Sequence, residues 1–398
     1  MPQRQPESNV ERGQSFHRCG LLAILLVLPS PLEARSAPAT TSTATAPATA
    51  PALAQEAKAL ASAVIGHLGE GYSFQIDDRR HLVYVSALDK RTSRHVMSVL
   101  GAYCDLERRM LFAGGEQWNP VILLPTLADF RRLSPDPKVL GFYRHSTRTL
   151  MSVSLSNVLI HEFTHALHHQ DQAAVDQRHA IWLAEGLATL FQLSRVKAGK
   201  VEIRTDSSLL TVRKAIQQDK APSLAELLAM DQAAFMKRAE ICYLQAQSVL
   251  LFLYRQGKLR DFYLTYKDTF AQDPTGQAAL EKTLGGKLTD IEAAWRKWVA
   301  SQDVWRPGVS AKAHLGIRMQ ADEDGVRVTG LLPGSMAYHA GKLKVGDVIT
   351  SIAGHDTPTP AELTQVVASL LPGETIDIAI LRQGRPMMIQ QLLGAVRP

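Results

Sequence analysis

The segment His161-Glu162-Phe163-Thr164-His165 constrains the fold of this chain more than any other stretch. Two imidazoles four residues apart lie on one face of an α-helix, where both can turn a ring nitrogen toward a single point. Glu162 sits roughly 100° around the helix from His161, close to that point without converging on it. The preceding Ser156-Asn157-Val158-Leu159-Ile160 supplies an N-cap and an apolar lead-in, and nothing between Val158 and Gln170 breaks a helix. His168 and His169 follow, so a His-rich polar helix face is the plainer alternative.

Two nearby carboxylates compete to be a third converging group. Asp171 stands six residues after His165, but reaching the same point from there requires a sharp turn at a glycine, and that position is His168. Glu185 lies in Trp182-Leu183-Ala184-Glu185-Gly186-Leu187-Ala188, an apolar helical stretch beyond the polar segment from Asp171 to His179. A helix, a loop and an antiparallel helix would return Glu185 to the face carrying His161 and His165. Three protein ligands with one open position is the pattern of a hydrolytic zinc site.

Taken together, H-E-F-T-H and W-L-A-E-G-L-A resemble the gluzincins, the thermolysin-like and aminopeptidase-like zinc metallopeptidases of the peptidase MA-like superfamily. The resemblance implies one Zn²⁺ held by His161, His165 and Glu185, with Glu162 as general base toward a peptide carbonyl. One departure is visible: where thermolysin has an Asp four residues after its ligand Glu, this chain has Thr189, so the group orienting a histidine must come from elsewhere. In gluzincins a sheet edge just before the metal helix pairs with extended substrate. Strand-like stretches Leu140 to His145 and Thr149 to Leu155, around the turn Ser146-Thr147-Arg148, make Gly141, Phe142 and Tyr143 the corresponding segment, an ordinary hairpin being the other reading. A tyrosine on a later helix bonds the developing oxyanion in aminopeptidase-like relatives; Tyr243, on the amphipathic stretch to Leu253, takes that role here by resemblance, against a tyrosine merely packed.

The ends have different characters. Arg4, Arg12, His17 and Arg18 precede the apolar run Gly20 to Leu28, with small residues around Ala34 to Ala39, the layout of an export signal over residues 1–36. Nine residues are too short for a hydrocarbon core of about 30 Å, so no transmembrane segment is expected in the mature chain, and a periplasmic or secreted location follows, with an uncleaved N-terminal anchor as the alternative. Residues 37–54 are almost wholly Ala, Thr, Pro and Ser and read as an extended linker. From 55 to 305 the pattern is strands mixed with helices (Ala52 to Leu68, Tyr72 to Ile76, Leu82 to Leu88, Ser93 to Phe112, Val121 to Leu124), then helices alone to Ile291–Val299. That order predicts an α+β class with a thermolysin/aminopeptidase-like zincin domain.

Beyond Gly308 come short strands and glycine turns: Leu315-Gly316-Ile317, Gly325-Val326-Arg327-Val328, Gly341 and Gly346-Asp347-Val348-Ile349. Residues 310–395 resemble a small β-rich PDZ domain of the bacterial protease-associated kind, with Gly341 as a helix-ending left-handed position and Gly346-Asp347 as a tight turn. The resemblance implies that a partner's C-terminal peptide adds beside Leu315, Gly316 and Ile317, with a helix Ala361 to Leu370 as the far wall.

A net charge of +6 with scattered basic residues and no aromatic–basic array argues against nucleic acid. Besides Cys19, only Cys104 and Cys242 remain, as one disulfide or two buried thiols. A PDZ-bearing serine protease would need a Gly-x-Ser-x-Gly or Gly-Asn-Ser-Gly-Gly nucleophile turn, which the sequence lacks. The Gln170 to Arg178 stretch is too polar for a membrane-embedded protease. The expectation is an exported zinc metallopeptidase acting on peptide or protein substrates, the alternative an inactive peptidase fold serving as a PDZ scaffold.

Overall fold

The computed structural model describes residues 50–113, 120–134, 136, 139–197, 200–203, 208–302, 313–370 and 372–395. The expected export signal lies outside them, as do most of the expected linker and the junction at 303–312.

The body opens with α1 (Ala50–Leu68), β1 (Ser73–Asp77), β2 (Leu82–Ser86), α2 (Lys90–Met110), β3 (Val121–Leu124), α3 (Leu127–Leu133), β4 (Gly141–Arg144) and β5 (Thr149–Ser152). Helix α1 starts inside the 37–54 stretch expected to stay extended; Pro51 falls in its first turn, where a missing N–H costs nothing. Strand β2 stops at Ser86, short of the expected Leu88, because Asp89 caps α2 by accepting from the N–H groups of Arg91 and Thr92.

The five strands form one sheet in the order β1-β2-β3-β5-β4, with β2, β3 and β5 parallel and β1 and β4 antiparallel at the two edges. Alternation along buried strands sends side chains to opposite faces. Val83, Val85, Val121, Leu123 and Met151 pack with Ala61 and Phe130 of α1 and α3. Leu82, Tyr84, Ile122, Leu124 and Leu150 face the main helical core. The β4–β5 connection is a 3₁₀ turn over His145–Thr147 closed by Arg148 in the left-handed region, matching the expected turn to within a residue.

Helices dominate from there: α4 (Asn157–Ala174), α5 (Ile181–Gln192), a short hairpin β6 (Arg195–Lys197) and β7 (Lys200–Glu202), then α6 (Ser208–Gln217), α7 (Leu224–Ala229), α8 (Gln232–Lys237), α9 (Ala239–Arg255), α10 (Leu259–Thr269), α11 (Gln277–Leu284) and α12 (Leu288–Ser301). Helix α5 is the centre of this layer, wholly buried from Glu185 to Gln192. It approaches α9 at Gly186, where an added Cβ would lie 2.9 Å from Leu250 Cδ1 and 3.1 Å from the Ala246 backbone. Trp182 and Trp295 are fully buried anchors of the same core. Cys104 and Cys242 are both buried and both free, so the disulfide alternative falls.

The C-terminal unit contains β8 (Ala313–His314), β9 (Ile317–Asp322), β10 (Gly325–Leu331), α13 (Met336–Ala340), β11 (Val348–Ile352), β12 (His355–Asp356), α14 (Pro360–Ala368), β13 (Thr375–Arg382), β14 (Arg385–Leu392) and β15 (Gly394–Ala395). Its main sheet runs β14-β13-β11-β10-β9, leaving β9 on an edge, around a core of Val326, Val328, Ile349, Ile378, Ile380 and Leu363. Gly341 closes α13 in the left-handed region, and Gly346 takes a positive φ at its turn, as the sequence implies. Helix α14 ends at Ala368, two residues before the expected Leu370, and starts where Thr359 accepts from the Glu362 N–H. This unit is seated on the body: the Leu127 N–H donates to Gly384 at 2.9 Å, Arg131 pairs with Asp324 at 2.7 Å, and Ala379 joins the main helical core. The architecture is therefore a mixed α+β body carrying a β-rich C-terminal domain.

Candidate functional site

Helices α4 and α5 bring His161, His165 and Glu185 together as the helix–loop–helix reading requires. His161 Nε2 lies 3.2 Å and His165 Nε2 lies 3.4 Å from Glu185 Oε2, and the two Nε2 atoms are 3.1 Å apart. All three side chains are buried, and among the described residues they are the one set of three His, Cys, Asp or Glu groups that converges on a point. Asp171 is not among them. It turns away to accept from Tyr263 Oη at 2.7 Å and Lys267 Nζ at 2.8 Å.

The unexplained orientation of His161 is answered by Gln192. Its Oε1 can only accept, so the 2.8 Å contact places a proton on His161 Nδ1 and leaves the Nε2 lone pair facing Glu185 and His165. Gln192 is seven residues past Glu185 and therefore on the same face of α5, a periodicity visible in the sequence but not read there. Thr189, one turn after Glu185, contributes nothing comparable: its buried hydroxyl has no partner.

Three electron-pair donors at these separations repel unless something positive lies among them. A cation bound tetrahedrally by N and O ligands at about 2.0–2.1 Å separates those ligands by roughly 3.3 Å, so the donor set fits a Zn²⁺ ion without rearrangement. The same closeness shifts the charges of the protein's own groups. Burial alone would push the Glu185 carboxyl up, and the two imidazoles overturn that, holding it below its ordinary value. Burial pulls His165 down, while Glu185 and Glu162 reverse the shift and leave it raised.

Glu162 is buried beside this triad. Burial raises its pKa against the pull of His161 and His165, it accepts a backbone hydrogen bond from Tyr143, and its Oε2 has no partner. The Tyr143 bond fixes the place of β4: this edge strand of the sheet turns its unpaired side toward Glu162. Gly141 is pressed against Val158 and Ser152, Phe142 faces Phe130 on the opposite side of the sheet, and Tyr143 sends its hydroxyl 3.0 Å from His169 Nδ1. Tyr243 is also brought in from α9; its ring centroid is 6.1 Å from that of His161, and its hydroxyl bonds toward Glu185, with burial and the nearby carboxylates holding it protonated. A residue not anticipated is His145, close enough to feel His165 and Glu185, and pushed down to about 4 chiefly by burial. On the C-terminal domain, Leu315 and Gly316 lead into β9 and Ile317 opens it, so the three expected residues lie at the start of the free edge.

Comparison with known proteins assigns the C-terminal domain first. Residues 313–390 match the PDZ domain family. The periplasmic pH-dependent serine endoprotease DegQ of Escherichia coli (strain K12) is 38% identical over 69 residues, 17% of this chain and 15% of that protein. The chain thus spans well under two thirds of that curated relative. Similar solved structures include the HtrA-type protease AlgW with decapeptide (21% identity, 28% of this chain and 36% of that one, TM-score 0.21). Others are the serine endoprotease from Yersinia pestis (26%, 22% and 30%, 0.20) and the PDZ domain of a carboxy-terminal protease from Vibrio cholerae in complex with peptide (15%, 22% and 99%, 0.20). These relatives overturn the expected enzyme class. The curated relative is a serine endoprotease, a different catalytic class from a gluzincin, so the expected labels metalloprotease, zinc enzyme and H-E-x-x-H peptidase are not upheld.

Proposed function

We propose that this chain is an exported, peptide-directed protein in which a body over residues 55–305 holds one Zn²⁺ ion at His161, His165 and Glu185, and a PDZ domain within 310–395 binds extended peptide. The export reading rests on the basic and apolar layout of residues 1–36 and on the periplasmic relative; among the described residues no helix is long and apolar enough to cross a membrane.

The observation that carries the metal reading is the approach of three buried donors to within 3.1–3.4 Å of one another, with a proton fixed on the far nitrogen of His161. A bound Zn²⁺ supplies Lewis acidity to a carbonyl or water beside it. The chain's own groups are arranged for proton transfer at that place. Glu162 Oε2 is buried and unpartnered beside the three donors; the Tyr143 N–H holds the carboxylate in position; and the Tyr243 hydroxyl is a donor kept neutral by burial. The outer side of the edge strand β4, whose Tyr143 N–H meets Glu162, offers an edge along which an extended peptide can lie. In the PDZ domain the free edge of β9 and the helix α14 form the corresponding strand-addition groove.

The test is a metal titration of the full chain beside Glu185→Ala and Glu162→Gln, with a C-terminal peptide library for the PDZ groove. One ion per wild-type chain, none in Glu185→Ala, and retained metal in Glu162→Gln, which is not one of the three donors, are expected. Equal metal binding by Glu185→Ala, or no C-terminal peptide held by the PDZ groove, overturns the reading.

A further inference from the structure

The PDZ domain touches the body where the metal-site helix begins. Ser156 occupies the N-cap position of α4, yet its hydroxyl makes no bond to the helix's own first N–H groups. It is committed instead to Asp356, at the end of β12, which also receives the Ser154 hydroxyl at 3.3 Å. Ser154 in turn contacts Ser156 at 2.5 Å, and the Ser152 hydroxyl donates to the Ser154 carbonyl at 2.7 Å, so a line of buried serines runs from β5 to the PDZ domain. Next to Asp356, Gly354 lies so close to α4 that an added Cβ would stand 3.0 Å from Asn157 Oδ1. An Asp side chain at a helix N-terminus also complements the positive end of the helix dipole.

The second control on His161 faces the same interface. A cavity of about 330 Å³ between the two units is lined on the body side by Ser156, Asn157 and Gln192 and on the PDZ side by Gly354, His355 and Asp377. Gln192 is the residue that sets the proton on His161 Nδ1. Ser156 precedes His161 by five residues, roughly 7.5 Å along the helix axis. Both the start of the ligand-bearing helix and the partner of its first histidine thus border the PDZ domain.

We infer that Asp356 is a positioning residue: supplied by the PDZ domain, it holds the N-cap serine of the metal-site helix from outside, so that the seating of the PDZ domain sets the geometry of His161. This rests on the metal reading above, and the experiment separates the two. Zinc affinity is measured by chelator competition, and the visible spectrum of the Co²⁺-substituted full chain is recorded, for wild type, Asp356→Ala, Asp356→Asn, Ser156→Ala and the Ser156→Ala/Asp356→Ala pair. Loss of the buried bond is expected to weaken zinc binding about three- to tenfold and to shift the cobalt bands. Asp356→Asn, which keeps an oxygen for Ser156, restores most of the affinity, and the double variant is no worse than either single one. Gly354→Ala presses on Asn157 at the start of the same helix while leaving Asp356 and Ser156 unchanged, and moves the cobalt bands in the same direction. If wild type binds no metal, the metal reading fails. If wild type binds metal and the Asp356 variants bind it equally with an unchanged cobalt spectrum, or the single effects simply add, the positioning role fails. C-terminal peptide binding by each variant confirms that its PDZ domain is folded.

Discussion

Replacing Gln192 by Leu removes the acceptor for His161 Nδ1 while keeping nearly the same volume, so the change tests one hydrogen bond without opening a hole in α5. The bond is 2.8 Å long, with His161 wholly buried and Gln192 8% exposed, so water cannot readily replace the lost partner. Leaving a buried N–H unsatisfied costs about 1–3 kcal/mol. An imidazole whose far N–H is unpaired is also a poorer and less oriented donor, and loss of such outer partners typically lowers metal affinity about 10–100-fold, or about 1.4–2.8 kcal/mol. The two routes give the same range. Competition against a chromophoric chelator should show Gln192→Leu binding zinc 10–100-fold more weakly than wild type. Thr189→Val is the control: it deletes a buried hydroxyl that has no partner and should leave affinity unchanged and stability equal or slightly higher. A Gln192→Leu protein that binds zinc as tightly as wild type, or a Thr189→Val protein that loses the metal, would refute the assignment of Gln192 as the orienting group.

Gly186→Ala puts a Cβ 2.9 Å from Leu250 Cδ1 and 3.1 Å from the Ala246 backbone; overpacking of about 1–3 kcal/mol, less about 1 kcal/mol of helix propensity, leaves a net cost of up to about 2 kcal/mol and should lower Tm by up to about 8 °C in a thermal melt. Asp171→Asn breaks the buried contact to Lys267 and should destabilise the body by about 2–3 kcal/mol in urea unfolding while leaving zinc affinity untouched, because Asp171 is not a ligand. Asp356 has its carboxyl raised to about 6, first by burial, against the lowering bonds from Ser156 and Ser154 and with Glu362 adding to the rise. A carboxyl raised on folding stabilises fully below its unfolded value near 4 and loses that contribution as pH climbs through about 6. Hydrogen exchange at the start of α4 should therefore quicken between these values relative to Asp356→Asn, and an identical pH trend in both proteins would rule out Asp356 as the source.

The pattern of the sequence carried the elements whose signal is local. The i, i+4 histidines, the apolar stretch around Glu185 and the PDZ turn glycines Gly341 and Gly346 each depend on a few neighbouring residues, and each falls where the pattern puts it. The disposition of His161, His165 and Glu185 followed because a short polar loop between two helices leaves few ways to pack them. Tyr243 reached the site through the pairing of α5 and α9 at Gly186, a long-range packing choice that spacing alone does not encode. Helix α7 does carry a local signature, the Ser223–Glu226 capping box, whereas α6, α8, α10 and α11 are set chiefly by the core they surround. Gln192 and Asp356 were passed over for different reasons. The first was hidden in an ordinary helix face. The second lies some 200 residues from its partners, and only the docking of two domains brings it there.

Cys104 on α2 and Cys242 on α9 are fully buried, and burial pushes their thiols up to about 12 and about 11. A thiol that is both shielded and protonated does not react with an alkylating reagent until its helix comes away from the core. The body therefore holds two natural clocks of its own opening, one beside the sheet and one in the helical layer. The order in which they are labelled reports which half of the body yields first, with no probe introduced and no residue changed.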